Sequence, residues 1–112
     1  MYEFGTIVLV PFPFTDLSAT KVRPALIVSR SDHRGDDVIV CFITSKISNE
    51  HADQLILESN EHTGLKTRSA IRFDKIATLD KKVILGELGV VDPAHLRKNR
   101  SMFLRMFGFK EG

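Results

Sequence analysis

The chain has 112 residues, 43% of them hydrophobic and 27% charged, with a formal net charge of +2. That length fits one domain with a core large enough to fold without staples, and the mild basic excess permits an anionic partner without demanding one. The single cysteine, Cys41, excludes an internal disulfide and fits a reducing compartment, so a cytoplasmic location is expected.

The N-terminal "MYEFGTIVLV" places Glu3 where a signal peptide carries basic residues, and no apolar run approaches the ~18 residues of a membrane span. The stretch from Thr6 to Phe12 is rich in β-branched residues and predicts a first strand, ended by Pro11 and Pro13. Thr15 to Lys21 is small and polar, a loop. Pro24 to Ser29 predicts a second strand with proline at its start, and Gly35 centres a turn. Val38 to Thr44 is a third strand, apolar enough to be buried on both faces. Gln54 to Glu58 is a fourth.

The fifth strand, Ser69 to Asp80, bends near Lys75 and carries an unusual pair. Side chains alternate across a strand, so Arg72 and Asp74 share one face while Ile71 and Phe73 take the other. Asp92 before Pro93 is a helix start, an N-cap with proline at the first helical position. Leu96, Phe103, Met106 and Phe107 recur at helical spacing and Gly108 offers a stop, which predicts one helix from Pro93 to Phe107. Many short strands and a terminal helix give a mainly β fold, a small and strongly bent sheet or partly open barrel, spanning 1–112 as one domain.

No glycine-rich phosphate loop and no serine or cysteine nucleophile signature occurs. His33, His51, His62 and His95 are scattered without zinc-like spacing, so no metal and no cofactor is expected. What remains are arginines, hydroxyls and one carboxylate at strand ends. Arg23 precedes Pro24, Thr44 and Ser45 end the third strand, and Ser69, Arg72 and Asp74 lie on or beside the fifth. Lys21, Lys46, Lys66 and Arg68 occur close to the same ends. If those ends converge, they form a basic cleft suited to a phosphodiester, because arginine offers a bidentate fork to phosphate oxygens. Each signal also has an ordinary reading: Arg72 and Asp74 as a solvated surface pair contributing ~0–1 kcal/mol, Arg23 as a loop arginine, Thr44 and Ser45 as a simple strand end. The basic run Leu96 to Arg100 reads as the wet face of a helix.

Taken together, "GTIVLVPFPF", "VRPALIVS", "CFITS" and "SAIRFDKIATLDKKVILGELG", in that order, resemble the MazF/PemK family of endoribonuclease toxins from about Gly5 to Phe107. The resemblance implies an SH3-like β-barrel with a C-terminal helix and a homodimer. It further implies metal-independent cleavage of single-stranded RNA, in which the 2′-hydroxyl attacks the phosphate to leave a 2′,3′-cyclic phosphate and a 5′-hydroxyl. Carried over position by position, it gives Arg23 charge stabilisation, Thr44 a hydrogen bond to the phosphate, Arg72 the role of second clamp or acid, and Asp74 that of base or positioner. Lys21, Ser45, Lys46, Lys66, Arg68 and Ser69 would contact RNA. A cognate acidic antitoxin is the implied protein partner. The loop "PFTDLSATKV" departs from the family, lacking its usual glycine and glutamate. The competing expectation is a catalytically weak SH3-like module that binds RNA or a peptide. A DNA-binding role is disfavoured, since no helix-turn-helix pattern occurs.

Overall fold

Apolar runs too continuous for a one-faced sheet are explained by what lies on either side of the central strands. In this computed structural model, which describes residues 2–11, 21–32, 35–48 and 54–109, β1 (Thr6–Pro11), β2 (Val22–Ile27) and β3 (Asp37–Thr44) form adjacent antiparallel strands. Their residues alternate between two cores. Ile7, Leu26, Cys41 and Ile43 join one core, while Val8, Val10, Ala25, Ile27, Val40 and Phe42 join the other. Burial on both faces is why these strands read as unbroken apolar stretches.

β4 (Gln54–Leu57) and β5 (Ser69–Asp80) extend the sheet on one side and β6 (Gly86–Val90) on the other, giving the order β4-β5-β3-β2-β1-β6. The six antiparallel strands curl into a half-barrel. β6 goes beyond the five strands that the sequence pattern predicts, because two glycines in its "GELGV" leave no alternating apolar signal.

The two ends of the sheet meet through backbone. Val90 N donates to His62 O at 2.8 Å. A Cβ on Gly64 would overlap the Leu88 carbonyl, and one on Gly89 would overlap the backbone of His62 and Thr63. Gly64 also has φ of +68°, which side-chain-bearing residues rarely adopt. Glycine at both positions therefore lets the turn after β4 lie directly on β6.

β5 is bent where it was expected to be. Its register with β3 pairs Cys41 with Ile76 and Ile43 with Ile71, so residues 72–75 arch out opposite Phe42 alone. Two short helices follow, α1 (Pro93–Lys98) and α2 (Arg100–Met106), instead of the single predicted helix. Asp92 does cap the start, accepting from Ala94 N at 2.9 Å. The break falls at Asn99, whose side-chain amide donates to His95 O at 2.9 Å and whose backbone leaves helical geometry at φ −106°, ψ 17°. α2 ends as predicted at Gly108: Gly108 N and Phe109 N donate to Arg105 O and Leu104 O, both at 3.0 Å. Among the described residues no helix is long and apolar enough to cross a membrane. The expected end of the first strand at Phe12, the loop Thr15 to Thr20, His33 and His51 fall outside the described residues.

Candidate functional site

The site begins with a proline. Pro24 is an interior residue of β2, not its first as the sequence suggested. It pairs with Leu9 of β1, while the β2–β3 ladder starts only at Ala25 and Phe42. Without an N–H, Pro24 cannot extend that ladder. The ends of β2 and β3 thus part at Arg23, Ile43 and Thr44.

A depression of about 130 Å³ opens there, lined by Arg23, Phe42, Ile43, Thr44, Arg72 and Lys75. Three of the predicted residues, Arg23, Thr44 and Arg72, are brought together in it. Thr44 Oγ1 accepts from Lys46 N at 3.1 Å, which folds the chain back immediately after β3 and leaves the hydroxyl proton available for donation. Lys75, which sequence reasoning passed over, reaches the same depression. Strict alternation would put it opposite Arg72, and only the arch of residues 72–75 reverses that.

Arg72 and Asp74 point away from the core that holds Ile71 and Phe73, as alternation requires. Arg72 Nε donates to Asp74 Oδ1 at 2.7 Å, and Nη2 contacts Oδ2 in a second bond. Their side chains are 18% and 31% exposed, so the pair is more sheltered than an ordinary surface pair. The hydrogen bond from Arg72 holds the Asp74 carboxyl below the usual carboxylate range, and the same bond pushes the Arg72 guanidinium further up. Asp74 itself does not line the depression; it acts on it through Arg72.

A second, larger depression of about 380 Å³ shares Arg23 with the first. Ser45, Lys66 and Ser69 line it, along with apolar residues that include Leu9, Leu65 and Leu88. Ser69 is buried, and its hydroxyl donates to Thr67 O at 2.9 Å. The remaining predicted contacts lie elsewhere. Lys21 and Lys46 are exposed and line neither depression. Arg68 lies on an exposed face, where its Nε pairs with Glu58 Oε1 at 3.0 Å.

Cys41 sits in the core beneath the arch, where burial first and the Asp74 charge second push its thiol up to about 12. At neutral pH it is a packing residue, not a nucleophile. Among the described residues no group of three or more His, Cys, Asp or Glu side chains is placed to hold a metal ion.

The profile of the PemK-like, MazF-like toxins of type II toxin–antitoxin systems matches residues 3–107. Among curated proteins, none matches in sequence. Solved structures do match in fold. A mycobacterial endoribonuclease in complex with its cognate antitoxin superposes with a TM-score of 0.80 at 19% identity, covering 100% of both chains. The Mycobacterium tuberculosis toxin MazF-mt6 gives 0.77 at 18% identity, covering 95% of this chain and 99% of that one. MazF in a MazE–MazF structure from Deinococcus radiodurans gives 0.75 at 20% identity, covering 97% of this chain and 98% of that one.

Proposed function

This chain belongs to the PemK-like, MazF-like toxins of type II toxin–antitoxin systems, and we propose that it is an endoribonuclease that cuts single-stranded RNA with its own side chains. The observation that carries the reading is the meeting of Arg23, Thr44 and Arg72 around one small depression. Two guanidiniums and a hydroxyl are a donor set for the non-bridging oxygens of a phosphodiester. In the proposed reaction the RNA 2′-hydroxyl gives up its proton to water and its oxygen bonds to phosphorus, while the bond to the 5′-oxygen breaks and that oxygen takes up a proton from water. The products are a 2′,3′-cyclic phosphate and a 5′-hydroxyl. Negative charge grows on the phosphorane, and donors already aimed at it stabilise that charge without reorganising.

Arg23 and Arg72 are electrostatic clamps, since an arginine with a pKa above about 12 is a poor proton donor at neutral pH. Thr44 donates to a phosphate oxygen. Asp74 is a positioning residue: two of its lone-pair sites are taken by Arg72, and its lowered pKa makes it a weak base. It fixes the Arg72 fork so that the remaining guanidinium N–H groups serve the substrate. Brief expression followed by mapping of RNA 5′ ends tests the activity. Defined cuts bearing 5′-hydroxyls support it; RNA binding without cuts would instead indicate a binding module.

The partner in this reading is a small acidic antitoxin whose charge complements Arg23, Arg72 and Lys66. Its chain orders on binding and occludes the cleft. Inhibition then competes with RNA and weakens as salt rises. An inhibitor co-purified from the native host that leaves RNA binding untouched would overturn occlusion.

A further inference from the structure

Resting on the endoribonuclease reading above, we propose that Lys75 is a further catalytic residue, the acid that hands a proton to the departing 5′-oxygen. The polar side chains that line the smaller depression are those of Arg23, Thr44, Arg72 and Lys75. The first three are donors for the oxygens that keep their bonds to phosphorus. Cleavage makes one further demand. The 5′-oxygen leaves as an alkoxide, a strong base, unless a proton reaches it while its bond to phosphorus breaks.

Acidity separates the candidates. A lysine ammonium gives up a proton at least about a hundredfold more readily than a guanidinium. A threonine hydroxyl is a weaker acid than an ammonium, and its deprotonation would only replace one alkoxide by another. Among the described residues no carboxyl and no imidazole lines the depression. Lys75 is therefore the strongest acid in its lining. The backbone supports the assignment independently. Strict alternation from Arg72 would turn Lys75 onto the face of Ile71 and Phe73, towards the core. Instead residues 72–75 stand opposite Phe42 alone, between the pairs Ile43–Ile71 and Cys41–Ile76. Irregularities of this kind re-aim side chains next to active sites, and the one here brings the Lys75 ammonium to the depression. In the step itself an Nζ proton passes to the 5′-oxygen, which keeps the electron pair of the broken P–O bond. The neutral amine then takes a proton from water, so the overall balance of the reaction is unchanged.

The test uses the full-length protein and a short RNA whose 5′-oxygen at one mapped cut is replaced by sulfur. A thiolate leaves without needing a proton, so this substrate makes an acid dispensable. Lys75 is exposed, and its replacement removes no core packing. Lys75→Ala is expected to cut ordinary RNA about a hundredfold more slowly than the natural protein, the scale of a lost general acid. On the sulfur-containing RNA it should come within about threefold of the natural protein. Lys75→Arg, which keeps the charge but not the acidity, should behave in the same way. Arg23→Ala, which removes a clamp and not an acid, should stay slow on both substrates. An equal loss on both substrates in Lys75→Ala, natural rates in Lys75→Ala or Lys75→Arg, or equal rescue of Arg23→Ala by sulfur would overturn the assignment and leave the nuclease reading standing. No cleavage of any RNA by the natural protein would overturn both.

Discussion

The Asp74 carboxylate receives both Nε and Nη2 of Arg72, two residues back on the same face of β5. This relationship makes the carboxylate a brace for the guanidinium, and a brace behaves differently from a base.

As a brace, Asp74 is ionised throughout the neutral range and contributes no acid limb to the pH–rate profile. Asp74→Asn is expected to lower cleavage about ten- to a hundredfold through misplacement of Arg72, with the profile between pH 5 and 8 keeping its shape. An acid limb in the natural protein that disappears in Asp74→Asn would make Asp74 the base. The linkage to stability has a definite sign. The folded pKa lies below the unfolded one, so the pair's stabilisation is present above about pH 4 and is lost as pH falls through the folded value. With both side chains partly exposed, the effect is ~0–1 kcal/mol, and Asp74→Asn removes that acid-side loss.

Gly64 and Gly89 hold the ends of the half-barrel together. Gly64→Ala combines positive φ with overlap on the Leu88 carbonyl, and is expected to cost about 2–4 kcal/mol in urea unfolding. Gly86→Ala, where a Cβ meets nothing within 4 Å, is the control and should cost under about 1 kcal/mol. Equal effects at the two positions would mean that the closure is not backbone contact.

Cys41 is expected to resist thiol reagents at pH 7 in the folded protein and to react fully once unfolded, because burial keeps the thiol protonated and inaccessible. Rapid labelling of the native state would show that the core beneath β5 opens readily.

The end of the chain carries apolar surface that the barrel leaves uncovered. Phe103 packs edge-on against Phe73 with ring centroids 5.6 Å apart, but Phe107 and Phe109 remain 49% and 62% exposed. Leu85 and Val90 are also exposed. We expect a homodimer that buries part of this surface. Light scattering that finds only monomer at micromolar concentration would contradict it.

Much of this was legible in the residues themselves. The opposite facing of Arg72 and Phe73 follows from strand period alone, and the Asp92–Pro93 helix start from capping chemistry. β6 was hidden because two glycines erase alternation, and one of them, Gly89, is there for close packing against His62 and Thr63, a tertiary reason. The break at Asn99 escaped because apolar spacing continues across it; the side-chain bond to His95 O overrides the pattern locally. At the site, Arg23, Thr44 and Arg72 were readable as candidates, but their meeting depends on Pro24 ending a ladder and on the arch of residues 72–75. Lys75 was unreadable for the same reason: a bulge shifts phase without a signature in composition. Lys21, Lys46 and Arg68 show the converse, since nearness to a strand end in sequence did not place them in either depression.

The central claim is that Arg23 acts at the scissile phosphate. Cleavage of single-stranded RNA by Arg23→Ala, followed by 5′-end mapping and set against an unfolding curve of the same variant, tests it most directly. The account predicts a fall of about 10²–10³-fold, the scale of one lost transition-state donor, with unfolding free energy within about 0.5 kcal/mol of the natural chain. Cleavage at the natural rate by a folded Arg23→Ala would contradict it.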